Sequence, residues 1–563
     1  MRPERYLQGI FIRKRDNLMF HPLADIEQSN LPSQFNNPFR YVPHPLIAHV
    51  AEIVMSDIRE DTELSEALAE GKMLGVLLVR DSGGRIGYLK GFSGNIGGKS
   101  IIKGFVPPIY DLTRPDGHFK TKEAEISAIN HKIKEIESGR LAQATQALEE
   151  ARARYEEETA RCKEEMAAAK LRRDGIRKAW DADGREHYPD KRDLEKESQF
   201  QKAEIARMKR RWKFRLDELE AACTDIRQEI LALRNQRAGM SDELQKWIFS
   251  QYIVHNAEGG CASIESIFNS TGSIPPGGTG ECAAPKLLEY AFRNSMEPLV
   301  MGEFWYGASP ETAVRTQGHF YPSCTSKCGP LLGFMLKGLV LHSESMVYDA
   351  GQVEIVFEDD HIIAASKPSG MPSVPGLDGR KSLLEILQER YPNLEAVHRL
   401  DMDTSGLILF AKNPQAAFYL RRQFEMHLIR KTYIAHLAPS LEGMNLTVGD
   451  QGSITLPLAP DYDERPRQKA DRTQGKPAHT DYMVESVETD GSINIRLYPK
   501  TGRTHQLRVH CAHLSGLGHP IIGDMLYGGS QSSRLHLHAL DITFTHPISG
   551  QAITLETRTN IIE

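Results

Sequence analysis

The chain has 563 residues and a mass of 63.2 kDa, with 69 Lys and Arg against 75 Asp and Glu, for a formal charge of -6. This length exceeds one ordinary hydrophobic core, so two to four domains are expected. The balanced charge excludes a uniformly basic nucleic-acid coat but allows local basic clusters, and 40% hydrophobic with 26% charged residues excludes collagen-like and wholly disordered chains. Seven cysteines are too few, and odd in number, for a secreted disulfide scaffold, so a reducing cytoplasm is expected. The N-terminal stretch MRPERYLQGIFIRKRD has no apolar core of signal-peptide length. No run of about 18 apolar residues is present, so no membrane partner is expected.

Residues 1–117 mix short apolar runs with Gly and Pro. Met73–Val79 reads as a buried strand, Asp81-Ser82-Gly83-Gly84 as a turn and Arg85–Leu89 as the returning strand of a hairpin. Gly91–Ser100 imitates a phosphate-binding loop. Ser93 stands where that loop needs its first glycine, and Pro107 and Pro108 cut off the helix that would follow, so a glycine-rich turn is the better reading.

Residues 118–248 are rich in Ala, Glu, Lys, Arg, Gln and Leu. Ile126, Ile129, Ile133 and Ile136 recur at helical spacing, as do Trp212, Leu216, Leu219, Cys223, Ile226, Ile230 and Leu233. Asp181–Asp190, with Gly184 and Pro189, breaks the pattern between two arms of roughly 60 residues, each about 90 Å long if helical. Equal arms around one break predict an antiparallel coiled-coil hairpin, serving either as a spacer or dimer seam or as an arm that grips a large partner such as a ribosomal subunit.

Residues 249–345 regain globular composition and are expected to form a central α/β region packing with 1–117. Cys282 opens a predicted helix, Glu303–Gly307 reads as a strand, and Cys324 and Cys328 precede another helix. The trio loosely resembles a zinc deaminase layout. However, Glu281 precedes the first cysteine instead of following it by two residues, and three residues, not two, separate the later pair. A structural zinc site (Cys282, Cys324, Cys328, with His319 as a fourth candidate) and free buried thiols are the alternatives.

Residues 352–563 alternate strand-like runs with occasional helices, which predicts an α+β domain with a mixed sheet. Two stretches concentrate chemistry. His398-Arg399-Leu400-Asp401-Met402-Asp403-Thr404-Ser405-Gly406 precedes the apolar run Leu407–Phe410, and Thr501-Gly502-Arg503-Thr504-His505-Gln506-Leu507-Arg508-Val509-His510 lies at a strand-to-helix junction. Physical chemistry alone says that Asp401 can be held by a cation; a structural ion pair and a turn would use the same residues.

The two stretches, together with Lys367-Pro368-Ser369-Gly370, GHPIIGDMLYG at 518–528 and RLHLHA at 534–539 in that order, resemble the RluA family of RNA pseudouridine synthases. The resemblance implies the pseudouridine synthase fold with a mixed, mainly antiparallel sheet, and no metal or organic cofactor. It implies Asp401 as nucleophile, Arg503 as the guanidinium favouring its charged form, and Arg399 as the side chain that fills the gap left by a flipped nucleotide. Tyr433 would stack on the uracil and assist loss of the C5 proton, with Leu507 beneath the base. Lys431, Lys476, Arg508 and Arg467 are candidate phosphate contacts. Ser373–Gly376, Arg465–Lys469 and Gly475–Ala478 resemble the branch acting on 23S rRNA and tRNA anticodon stem-loops. His398, His505 and His510 read as structural. The competing functions are a catalytically inactive RNA- or ribosome-binding protein and a bifunctional synthase with a deaminase-like N-terminal region.

Overall fold

The computed structural model of the protein describes residues 19–23, 28–112, 117–183, 190–342, 353–376, 380–440, 445–462 and 464–558. After β1 (His21–Pro22), α1 (Pro45–Glu60) starts at a proline that needs no hydrogen-bonded N–H there. It buries Ile47, Val50, Ala51, Val54, Met55 and Ile58 along one stripe. Asp61 ends it and caps α2 (Thr62–Ala67) by accepting from the Leu64 N–H at 3.0 Å. The expected hairpin is β2 (Lys72–Arg80) and β3 (Ile86–Phe92), closed by Asp81 Oδ1, which accepts from the N–H groups of Gly83 and Arg85.

Contacts divide the chain into two compact units, Met1–Asp111 with Phe249–Glu563, and Leu112–Ile248. The second is a helical arm. Its outgoing limb is α3 (His118–Ile136), one π-helical turn (Glu137–Leu141) and α4 (Ala142–Asp183), and it returns along α5 (Lys191–Gln251). Ion-pair partners descend along one limb as they ascend along the other: Arg140 with Glu229, Arg152 with Glu220, Glu158 with Arg211 and Arg173 with Glu197. The limbs are therefore antiparallel. Ile133, Ile136 and Ile230 form a buried seam between them, and Cys223, seven residues before Ile230, is also buried. Of the expected breaker, Asp181–Asp190, residues 184–189 lie outside the described residues.

Beyond the arm come the hairpin β4 (Ile253–His255) and β5 (Cys261–Ser263), then α6 (Ile264–Ser270), α7 (Ala283–Arg293), β6 (Glu297–Tyr306), β7 (Phe320–Tyr321) and α8 (Gly329–Met335). β6 pairs antiparallel with β2, giving one sheet of order β1-β3-β2-β6-β7. Strands from both sides of the arm thus share a sheet, and the arm is an insertion.

The C-terminal part contains β8 (Glu354–Glu358), β9 (Ile362–Lys367), α9 (Leu383–Gln388), β10 (Glu395–Ala396), β11 (Ser405–Ala411), α10 (Pro414–Glu425) and β12 (Arg430–Leu437). β13 (Gln451–Thr455), β14 (Leu458–Pro460), β15 (Gln468–Ala470), β16 (His479–Val487), β17 (Ile493–Pro499), α11 (Gln506–Ala512), β18 (Leu537–Thr545) and β19 (Ala552–Glu556) follow. The main sheet runs β13-β16-β17-β12-β18-β11-β9-β8, with β10 on β11 and β19 on β18. Only the β11–β18 pairing in it is parallel among the described residues. The architecture is therefore α+β with a mixed, mainly antiparallel sheet. β18 enters late and separates β11 from β12.

The segment after β6 docks on this part. Arg467 donates from Nη2 to the Val314 carbonyl at 2.9 Å, Ala470 N–H donates to the Thr312 carbonyl at 3.2 Å, and Val314 joins the apolar cluster of Leu437, Leu497 and Leu507.

Candidate active site

Asp401 lies in the turn leading into β11, and the segment after β9 grips that turn. Lys367 is buried, and its ammonium donates to the carbonyls of Pro368 (2.9 Å), Met371 (2.7 Å) and Met402 (2.7 Å). Three carbonyls use all three N–H donors of the charged form. Burial nonetheless pulls Lys367 down to about 7, opposed by the charges of Asp403 and Asp401. Ser373 Oγ donates to the Leu400 carbonyl (2.8 Å) and accepts from the Leu400 N–H (3.1 Å), while Ser369 Oγ donates to the Asp403 carbonyl (2.6 Å). The Lys-Pro-Ser-Gly stretch is thus a clamp on the carbonyls either side of Asp401. Asp403 points elsewhere, to Arg40 at 3.6 Å.

Three adjacent strands bring the remaining groups together. Gly406 on β11 faces Ala539 on β18, and Ala539 faces Tyr433 on β12, where a register shift between Thr432 and Tyr433 re-aims the tyrosine. Gly406 has φ of +108°, and a Cβ there would lie 2.3 Å from the Ala539 carbonyl oxygen. Gly406→Ala is therefore expected to destabilise the fold by at least about 2–4 kcal/mol, measured as a lowered denaturant midpoint at unchanged slope. Ser405 is held by Arg534 and by His538 Nδ1 at 2.9 Å, which accounts for the 534–539 stretch.

Burial raises the Asp401 carboxyl above the ordinary range, opposed by Arg508 first, then Arg399 and Lys367. Burial also raises the Tyr433 phenol, with the Asp401 charge adding to it, so the tyrosine keeps its proton. Leu507 is 7% exposed in the cluster against which Tyr433 packs.

Two expectations are corrected here. The first is that Arg503 faces Asp401. Arg503 sits in the turn before α11 and donates from Nε to the Pro477 carbonyl at 3.0 Å; its backbone N–H donates to Gln506 Oε1. The cation with the largest pull on the Asp401 carboxyl is Arg508, within α11. The second is that Arg508 contacts phosphate. Arg508 is 3% exposed, and its guanidinium is chelated by buried Asp524, Nε to Oδ2 at 2.7 Å and Nη2 to Oδ1 at 2.6 Å. Arg467 is likewise buried, on the carbonyls of Val314 and Leu526, and is withdrawn from phosphate. Arg399 is exposed and Lys476 is exposed, while Lys431 is partly buried, with burial lowering its ammonium.

Asp524 is the residue the sequence reading passed over. It holds Arg508 and also accepts from the Leu526 N–H (3.0 Å) and the Tyr527 N–H (3.2 Å), and these contacts hold it below the ordinary range against burial. It is the one carboxylate in the 518–528 stretch, and nothing local marks it as more than a turn residue.

The three histidines of the two motifs are interior struts. Burial holds His398 near 3, where Nε2 accepts from the Leu409 N–H, and His505 near 3, where Nδ1 meets the Tyr527 hydroxyl. His510 is held near 4, on Thr480 and the Leu456 carbonyl. Outside this domain, Cys282, Cys324 and Cys328 come together, and His319 is not part of that group.

A family profile described as RNA pseudouridylate synthase matches residues 361–513, a span that includes Asp401, Tyr433 and Arg508. The dual-specificity RNA pseudouridine synthase RluA of Vibrio vulnificus is 46% identical over 206 residues, 35% of this chain and 79% of that protein. Its namesakes in Yersinia pestis and Escherichia coli are 43% identical over 202 residues and 41% over 212, covering 94% and 91% of those proteins. A solved structure of human RNA pseudouridylate synthase domain containing 1 is 27% identical, with a TM-score of 0.32, over 38% of this chain and 86% of that one. No described helix is long and apolar enough to cross a membrane. At 41–46% identity to these bacterial enzymes over 79–94% of their length, this protein belongs to the RluA family of RNA pseudouridine synthases.

Proposed function

We propose that Asp401 is the nucleophile by which this enzyme isomerises uridines in both 23S rRNA and tRNA anticodon stem-loops. The observation that carries the reading is Asp401 itself, a half-buried carboxylate whose desolvation is opposed first by Arg508 and whose charge acts on Tyr433. Uridine and pseudouridine are isomers. The N1–C1′ bond breaks, the ring turns, C5 bonds to C1′, and C5 loses a proton while N1 gains one, directly or through solvent. Attack by a carboxylate on ribose or base divides this into two easier steps. That there are two kinds of substrate rests on the relatives' being dual-specificity enzymes, and the choice of RNAs on the resemblance at Ser373–Gly376, Arg465–Lys469 and Gly475–Ala478. Wild-type protein is expected to convert both an anticodon stem-loop and a 23S fragment, as read by pseudouridine mapping. Conversion of neither, with matched uridines in both, would end the proposal.

Arg399 is exposed at the mouth of this turn, placed to stack where the nucleotide leaves. Arg399→Ala is expected to lower kcat/KM about 10²-fold, with a matching loss of fluorescence from 2-aminopurine beside the target uridine. Lys431 and Lys476 are proposed as phosphate contacts.

The arm is proposed to touch rRNA. Lys209, Arg210, Lys213 and Phe214 are exposed along α5, with Phe214 at 67%, and clustered cations with an open aromatic suit a nucleic-acid backbone and its bases. A K209E/R210E/K213E variant is expected to bind 23S RNA or its precursor particles at least about tenfold more weakly at 0.1 M salt, with stem-loop conversion unchanged. Equal weakening on both RNAs would reject the assignment.

A further inference from the structure

The N-terminal region contains a second site that pseudouridine formation does not use. The Sγ atoms of Cys282, Cys324 and Cys328 lie within 4.8 Å of one another. They come from two distant parts of the chain. Cys282 caps the start of α7, Cys324 follows β7, and Cys328 immediately precedes α8. Tetrahedral zinc with Zn–S bonds of about 2.3 Å sets its sulfurs about 3.8 Å apart, so the three need to close by at most about 1 Å. None of the three is in a disulfide, and joining any two would leave the third unpaired.

The surroundings are polar in a way that free thiols do not require. Glu303 projects from β6 into the interior at 5% exposure. Its Oε1 accepts from the N–H of Ala284, two residues after Cys282, at 3.1 Å, and its Oε2 accepts from Ser323 Oγ, one residue before Cys324, at 2.5 Å. The carboxylate is therefore pinned between the two segments that carry the sulfurs. Lys286, one turn along α7 from Cys282, is 3% exposed and donates to the carbonyls of Phe92 (3.0 Å) and Gly94 (3.1 Å). A divalent ion on three thiolates carries one net negative charge, and a buried ammonium one helical turn away offsets it. Among the described residues no carboxylate or imidazole atom joins the three sulfurs within that 4.8 Å, which leaves one corner of a tetrahedron without a protein ligand.

We propose that Cys282, Cys324 and Cys328 bind one Zn²⁺ as thiolates, and that its fourth position holds a water hydrogen-bonded to Glu303. Zinc replaces the three thiol protons, which leave to solvent, and no electron is transferred. Soft sulfur donors in tetrahedral array select Zn²⁺ over Mg²⁺ or Ca²⁺. Three protein ligands with an open fourth position separate this centre from a closed structural zinc site with four.

The full-length protein, purified without chelator, tests this. Elemental analysis is expected to give one zinc per chain, and zinc-edge X-ray absorption a shell of three sulfurs and one oxygen. Alkylation followed by mass spectrometry is expected to spare Cys282, Cys324 and Cys328 until a strong chelator is added, and this reading needs no variant to fold. Cys324→Ser is expected to lose at least nine-tenths of the zinc while stem-loop isomerisation persists. Glu303→Gln is expected to keep one zinc with the same shell. Metal-free protein with three reactive thiols, a shell of four sulfurs, or loss of zinc in the Glu303→Gln variant would each overturn the proposal, whether or not Asp401 is the nucleophile.

Discussion

Asp401→Asn is expected to lower pseudouridine formation by on the order of 10⁴-fold or more and to leave the protein at least as stable as wild type. The amide keeps the shape of the carboxyl group but cannot form the covalent bond. The stability side follows from the direction of the titration. Burial raises the Asp401 carboxyl in the folded state, so folding favours its protonated form. Stability then falls as pH rises from the ordinary carboxylate range through the raised value, and at neutral pH the ionised side chain costs the fold something that asparagine does not. The same direction sets the acid limb of activity. kcat/KM is expected to drop as pH falls through a value above the ordinary carboxylate range, because only the carboxylate attacks. Tritium release from [5-³H]uridine RNA between pH 5 and 8 reads the activity, and chemical denaturation over the same range reads the stability. Wild-type rates for the asparagine variant would remove Asp401 from catalysis.

Arg508→Met is expected to have the largest combined effect. It strips the chelate from Asp524, which is fully buried, and leaves an uncompensated charge, a loss of about 3–5 kcal/mol. It also removes the leading influence that favours ionised Asp401, so the acid limb should move to higher pH and activity at neutral pH should fall by about 10²–10³-fold. Adding Asp524→Asn to Arg508→Met separates the two roles. The double variant should regain much of the lost stability, since the orphaned charge is gone, but none of the activity. Chemical denaturation and single-turnover rates on the two variants decide this. Recovery of activity along with stability would make Arg508 a purely structural partner of Asp524.

What the sequence could reveal followed the range over which its residues act. The turn bearing Asp401 is local, and so are the β2–β3 hairpin, the strand of Leu407–Phe410 and the helical arm, each written in turn chemistry or periodicity. Arg503 and Arg508 lie five positions apart in one motif, and composition does not say which faces inward. That depends on α11 beginning at Gln506, whose side chain bonds the turn at Arg503 and anchors to Thr480. Asp524 was invisible for a different reason: its partner sits on another element, and an isolated carboxylate near glycines reads as a turn. The placement of β18 between β11 and β12 is longer in range still, and it is what makes Gly406, Ala539 and Tyr433 neighbours.

The docking of the segment after β6 bears on where this enzyme can be cut. Tyr527 lies between two guanidinium groups, with Arg467 5.1 Å and Arg508 5.3 Å from its ring centre, and its hydroxyl accepts from the Gln468 N–H. Arg467 in turn leans on the Val314 carbonyl. A fragment beginning at residue 352 would contain every group the isomerisation uses, yet would strand Arg467 with a vacant bonding partner and open the apolar face under Val314 to water. Excision at the visible edge of homology would therefore loosen the wall behind Arg508, so a shortened enzyme made from this chain is expected to be more stable when it keeps the segment carrying Thr312 and Val314.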